Sequence, residues 1–167
     1  MNKNFFEVKN VDFSVSGKTK VINASFSIKN EGDVVCLLGP SGIGKTTVLR
    51  SIAGLEKIKN GTIELNNKIL SSKNINVDPE NRNISLAFQE NSLFPHYTIE
   101  KNILLGAERN KNNKEKKINL KELIDLLDIS HILNKFPHQV SAGEAQRASL
   151  ARSLVSDPDL LLLDEPL

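Results

Sequence analysis

Apolar and polar residues alternate from Phe5 to Val15 and again from Ala24 to Ile28. A side-chain period of two marks strands with one buried face. Both stretches are therefore predicted to be antiparallel strands, joined through a turn at Ser16-Gly17-Lys18. Asn30-Glu31-Gly32-Asp33 predicts another turn. Val34-Val35-Cys36-Leu37-Leu38 is apolar at every position and predicts a buried strand, and Thr46 to Ala53 predicts a helix stopped by Gly54. Thr62–Leu65 and Ile84–Phe88 predict two more short strands. Beyond Gln89 the period changes. Leu120, Leu123, Ile124 and Leu127 recur at helical spacing, so a helical insertion is predicted from residue 91 to about residue 145. Glu144 to Val155 predicts a helix ended by Asp157-Pro158, and Leu160-Leu161-Leu162-Leu163 predicts a fully buried parallel strand.

Strands alternating with helices in this order predict an α/β core around a parallel sheet, preceded by an antiparallel β subdomain and interrupted by the helical insertion. The 167 residues suffice for one domain with its own core. Hydrophobic residues at 39% and charged residues at 25% are ordinary for a soluble globular chain. A net charge of +2 gives no basic field of the kind that nucleic-acid binding needs. The N-terminal Met1-Asn2-Lys3-Asn4 lacks the apolar stretch of a signal peptide. Cys36, the single cysteine, has no intrachain partner; lying in the predicted strand it reads as a small core residue, and a reducing cytosol suits it.

The chemistry concentrates between the strand at Val34–Leu38 and the helix after it. Gly39-Pro40-Ser41-Gly42-Ile43-Gly44-Lys45-Thr46 fits G-x-x-x-x-G-K-[ST], a phosphate-binding loop in its strand–loop–helix setting. The glycines let the backbone curl so that several N–H groups point inward, and the positive end of the helix adds attraction for an anion. Lys45 is placed for the β- and γ-phosphates and the Thr46 hydroxyl for Mg²⁺, with Thr47 next to them. The second signal is Leu160–Leu163 running into Asp164-Glu165. Carboxyl ends of parallel strands converge on the ligand crevice. Asp164 is thus a candidate for the same Mg²⁺, and Glu165 for polarising the attacking water, with Pro166 consistent with a turn there.

Between these motifs, Val140-Ser141-Ala142-Gly143-Glu144-Ala145-Gln146-Arg147 resembles the signature of ATP-binding cassette proteins, and Phe88-Gln89 after a strand resembles their Q-loop. Ile52-Ala53-Gly54-Leu55 and Leu93-Phe94-Pro95-His96 are similar to the transporter branch. The resemblance covers essentially the whole chain, with four motifs in family order. It implies a nucleotide-binding domain in which Lys45, Thr46, Gln89 and Asp164 hold ATP and Mg²⁺, Gln89 also couples to the membrane subunit, and Glu165 is the general base. It implies that Ser141 and Gly143 serve the γ-phosphate held by a paired ATPase subunit, in a head-to-tail homodimer or heterodimer. Permease subunits would anchor the pair at the cytoplasmic face of the membrane, with a solute-binding protein acting indirectly and no nucleic acid involved.

Ala142 stands where the family has its first signature glycine; Gly143 keeps the second. Val15 aligns with the position where the family often stacks adenine on an aromatic, and Phe13, two residues away, is the alternative. The chain stops at Leu167, ahead of the D-loop, switch histidine and closing strands that the resemblance implies. The expectation is a fragment or a truncated subunit, with little or no turnover by these 167 residues alone. Val77-Asp78-Pro79-Glu80-Asn81-Arg82-Asn83-Ile84 and Phe136-Pro137-His138 resemble importers of inorganic ions, ferric iron first, then molybdate, with polyamine and sulfate importers after. Two other functions stay open at this point: a soluble ATPase of the same superfamily, of the translation or DNA-repair type, and a nucleotide-binding remnant without turnover. The interval between Lys45 and Asp164 holds no sustained heptads, which weighs against the repair type.

Overall fold

The computed structural model describes residues 4–15, 18–87, 93–108 and 118–164. The chain forms two compact units, divided between Arg82 and Asn83. Among the described residues no helix is long and apolar enough to cross a membrane.

The first unit is built on an antiparallel sheet of β1 (Phe6–Val15), β2 (Lys18–Ile28), β3 (Thr62–Leu65) and β4 (Lys68–Ser71), in the order β2-β1-β3-β4. Phe6, Val8, Val11 and Phe13 of β1 are all buried. Their spacing slips from two residues to three between Val8 and Val11, and the ladder shifts register there. Asn10 absorbs the slip as a bulge: it takes φ 49°, and its N–H donates to Ser25 Oγ at 2.9 Å. Without that extra residue, Val11 and Phe13 would point to the opposite face. β2 is longer than the alternation predicts, because pairing with β1 from Val15–Lys18 onward carries its polar first half. β4 escapes the sequence pattern. A two-residue turn at Asn66-Asn67, with φ of 50° and 62°, folds it back on β3. Across this sheet lies α1 (Lys45–Ala53), which packs on β1 and buries Thr47, Val48, Ser51, Ile52 and Ala53.

Two expectations fail in this unit. Residues 34–38 form no strand, with Val34 94% and Leu38 90% exposed. A run apolar on every residue needs ladder partners and cover on both faces, and no described strand pairs with it. Cys36 is consequently exposed rather than a core residue.

In the second unit β5 (Ile84–Ala87) and β6 (Leu160–Leu163) pair in parallel, Ile84 opposite Leu160 and Ala87 opposite Leu163. A parallel pair needs a crossover connection. The intervening chain supplies it as α2 (Ile99–Glu108), α3 (Leu120–Leu126) and α4 (Ala142–Leu154). Ile99, Ile103, Leu123, Ile129 and Ile132 form the core with Ala145, Ala148 and Ala151 of α4, and the predicted Leu120, Ile124 and Leu127 pack around it. β6 departs from expectation. Only Leu162 is buried and Leu163 is 40% exposed, because among the described strands β6 has a ladder partner on one side alone.

α2 and α4 pack through a small-residue contact. A Cβ added to Gly106 of α2 would sit 2.1 Å from the Arg152 carbonyl oxygen and 2.9 Å from Val155 Cγ1. Alanine is the better helix former by about 1 kcal/mol, but overpacking costs ~1–3 kcal/mol. Gly106→Ala is therefore expected to lower the urea midpoint of the chain. A raised midpoint would mean that α2 backs away from α4 without penalty.

Candidate functional site

Gly39 to Thr46 forms one loop that turns into α1. The Ile43 N–H donates to the Pro40 carbonyl at 3.3 Å, and the Val48 N–H donates to the Gly44 carbonyl at 3.0 Å, closing the first helical turn. Gly42 and Gly44 take φ of 78° and 116°. Gly44 is the N-cap residue and lies in the left-handed region, where a β-carbon is strained. No side chain caps α1, and its first turn carries no acidic residue. The backbone N–H groups of this helix start lie at the positive end of the helix dipole, where an anion is favoured. The Lys45 ammonium folds back over the loop and donates to the carbonyls of Gly39 at 2.8 Å and Pro40 at 3.1 Å. Ser41, Gly42 and Ile43 are exposed, as is Thr46, whereas Thr47 is buried on the inner face of α1. The loop combines a glycine-rich backbone turn, the Lys45 ammonium folded over it and the exposed Thr46 beside it, a set whose chemistry fits a phosphate chain.

The second predicted element starts α4. Ser141 is its N-cap, with an extended backbone, and Ala142 and Gly143 open the first turn. Ser141 Oγ accepts the Glu144 N–H at 3.3 Å, while the Glu144 carboxylate reaches back to accept the Ser141 N–H and hydroxyl, both at 2.7 Å. This is a capping box. The other carboxylate oxygen accepts from His131 Nε2 at 2.8 Å. The backbone N–H and hydroxyl of Ser141 and then His131 hold the Glu144 carboxyl down at about 2. A Cβ at Gly143 would meet only Arg147 Nη1 at 3.8 Å among the described residues, none of which requires glycine there.

Val15 ends β1 opposite Lys18. Phe13, the alternative base-stacking residue, is wholly buried, because the β1 bulge turns it into the core, so its ring is not open to a nucleotide. Asp164 follows β6, buried, with its N–H donating to the Ala87 carbonyl at 3.1 Å. Gln89, Glu165 and Pro166 lie outside the described residues.

Sequence reasoning missed the buried polar anchors. Arg82 is 2% exposed and holds the far end of α1. Asn102, fully buried, accepts the Phe94 N–H at 2.7 Å and donates to the carbonyls of Phe94, Tyr97 and Thr98, which fixes the turn carrying Phe94-Pro95-His96. A Thr98-x-x-x-Asn102 spacing before an apolar helix was the one available signal. Glu144 and His131 were missed as partners of Ser141, although Ser141-x-x-Glu144 spells the capping box.

Comparison with known proteins gives a consistent result. A family model described as ABC transporter matches residues 21–167. The chain is 38% identical over 167 residues to the Fe(3+) ions import ATP-binding protein FbpC 2 of Haemophilus influenzae, an alignment covering 99% of this chain and 47% of that protein. It is 43% identical over 164 residues to the glucose import ATP-binding protein GlcV of Saccharolobus solfataricus, covering 95% of this chain and 46% of the relative. The chain thus spans about half the length of the curated relatives it matches. Among solved structures, an ATP binding subunit of an ABC transporter aligns with TM-score 0.82 at 25% identity, over 98% of this chain and 67% of that one. The dimeric post-hydrolysis state of the cassette MJ0796 bound to ADP and Pi aligns with TM-score 0.76 at 26% identity, over 96% of this chain and 74% of that one.

The capping box makes a pH prediction. A carboxyl held below its ordinary value stabilises the fold above that value and loses the contribution as it protonates. With Glu144 lowered from 4.5 to about 2, Glu144→Gln is expected to melt below the wild type at pH 7, and the gap should close as the pH falls from 4.5 toward 2. Denaturation curves at a series of pH values read this out. A gap as wide at pH 3 as at pH 7 would mean that the charge on Glu144 contributes nothing.

Proposed function

The chain belongs to the ABC transporter family, and from that premise we propose that it is the nucleotide-binding part of an importer ATPase. The observation that carries this reading is the uncapped start of α1, where Gly44 at φ 116° leads into Lys45 and no acidic residue opposes an anion. The backbone from Gly39 to Gly44 would bind the phosphates of ATP, Lys45 would exchange its two loop carbonyls for phosphate oxygens, and Thr46 with Asp164 and Gln89 would hold Mg²⁺. That ion supplies charge neutralisation between the phosphates as the terminal bond is strained. Glu165 accepts the proton of the attacking water, and Ser141 with Gly143 completes the phosphate shell of a partner ATPase subunit. Val15 marks the side from which the adenine is approached.

The energy of hydrolysis is coupled to permease subunits at the cytoplasmic face of the membrane, and a solute-binding protein delivers the cargo. Ferric iron is the cargo we propose, supported by relatives described as Fe(3+) ion import proteins in several bacteria. The glucose and molybdenum import proteins that match equally well favour a second reading, that the cassette is indifferent to the solute. Reconstitution of the complete subunit with its permease decides between them. ATP-driven uptake of ferric ion supports iron, and uptake of molybdate or a sugar replaces it.

Two substitutions test the chemistry. Lys45→Ala removes the one mobile cation over the loop and keeps the backbone cradle. It should weaken binding of a fluorescent ATP analogue, and equal affinities would take Lys45 out of the phosphate site. In the complete subunit, Glu165→Gln should still bind Mg-ATP but turn it over ~10²–10⁴-fold more slowly, the usual contribution of a general base. Hydrolysis at the normal rate would place the base elsewhere.

A further inference from the structure

The Arg82 guanidinium is the most fully bonded side chain in the first unit, and the phosphate-loop reading leaves it without a role. Its five N–H donors meet five acceptors. Nε donates to Val77 O at 2.7 Å, Nη1 to Ser51 O at 3.2 Å and Ile52 O at 2.9 Å, and Nη2 to Ser71 Oγ at 2.8 Å and Asn76 Oδ1 at 3.1 Å. None of the five is a carboxylate. The buried charge faces the carbonyl end of α1, the negative pole of the same nine-residue helix whose positive pole is the phosphate loop, with the Asp78 carboxylate adding attraction through space.

The contact is built from both sides. Gly54 ends α1 at φ 88°, and its N–H turns back to the carbonyls of Arg50 and Ser51. A Cβ on Gly54 would lie 2.4 Å from Arg82 Nε and 2.8 Å from Cζ, so the Arg82 side chain takes the space a Cβ would need. On the opposite side the acceptors belong to the end of β4 and the segment Asn76-Val77, which pairs with Ser71. At its other end the Val48–Gly44 bond and the Lys45 contacts are made within the loop and the first helical turn, while Thr47 and Val48 are buried. The Arg82 end ties the helix to chain segments well away from the loop, Ser71, Asn76 and Val77.

We propose that Arg82 is a positioning residue for the phosphate site: by locking the carbonyl end of α1 to β4 and Val77, it fixes the orientation in which Gly44, Lys45 and Thr46 meet a nucleotide phosphate. The inference rests on the nucleotide-binding reading given above. A lysine here keeps the charge but presents three donors from a single point, and it cannot span acceptors on two sides.

The test uses the full chain and a fluorescent ATP analogue. Arg82→Lys should stay folded by circular dichroism and bind the analogue about tenfold more weakly, the equivalent of about 1.4 kcal/mol. In the nucleotide-free chain, the Val48 amide should exchange its hydrogen faster than in the wild type. Wild-type affinity in the folded variant, even with a lower melting temperature, would reduce Arg82 to a packing residue and overturn the proposal. Should Arg82→Lys not fold, the double variant Ser71→Ala, Asn76→Ala removes the acceptors on the β4 side and leaves the charge in place. It should weaken analogue binding in the same direction, and unchanged binding overturns the proposal. A wild-type chain that does not bind the analogue refutes the nucleotide reading instead. The Val48 exchange rates then decide on the clamp, which stands if Arg82→Lys accelerates exchange and falls if it does not.

Discussion

The carbonyl end of α1 is fastened by a single buried cation, and several contacts of the first unit converge on it. The guanidinium of Arg82 is stripped of water, which disfavours its charged form and lowers its pKa. What makes its burial tolerable is that every donor finds an acceptor, two of them carbonyls in the last turn of α1. The rest of the first unit follows from this junction. Gly54 must lack a side chain, Ser71 and Asn76 must face each other, and the segment from β4 to Arg82 must double back beneath the helix. The phosphate loop at the far end is then free of side-chain caps without being loose.

The second unit uses the same device with a neutral group. Asn102 is fully buried at the start of α2, and its amide is consumed by the backbone of the turn before it. That turn carries Phe94, His96 and Tyr97, whose rings touch at centroid distances of 6.0, 6.0 and 4.3 Å. Lys101 lies over Tyr97 and Arg152 over Phe94, so cations from α2 and α4 both rest on the cluster. In each unit one internal polar side chain replaces the regular ladder that an irregular segment cannot form.

Periodicity made the strand at Thr62–Leu65, the face of α3 and the helix after Ser141 legible, because each is a local pattern with a core on one side. The phosphate loop was legible for a different reason: its spacing of glycines and Lys45 is dictated by backbone geometry and not by burial. What failed was what depends on distant neighbours. Val34–Leu38 and Leu160–Leu163 have the same all-apolar composition, yet the first is unpaired among the described strands and the second is paired on one side. Phe13 looked available from its distance to Val15, but the bulge at Asn10 decides which face it takes. Arg82 sat unread inside Asp78-Pro79-Glu80-Asn81-Arg82, since a charged residue in a polar loop gives no sign of burial.

The two anion-facing elements also differ in what they now hold. Lys45 donates to peptide carbonyls, which are neutral acceptors. A phosphate oxygen carries charge and makes the stronger bond, so exchanging one acceptor for the other is downhill, and the ammonium is already in place when the exchange begins. Ser141 donates to a carboxylate, which is itself a charged acceptor like the phosphate it is proposed to meet. Exchange there gains little by itself and brings a second anion beside Glu144, which His131 holds from its other oxygen. The loop at α1 is thus poised to bind first and without help. The start of α4 has its anion position already filled by its own chain, and it engages a phosphate only when other contacts bring the two together. Under the proposed function, that order would seat the nucleotide on one subunit before the partner's α4 closes on it.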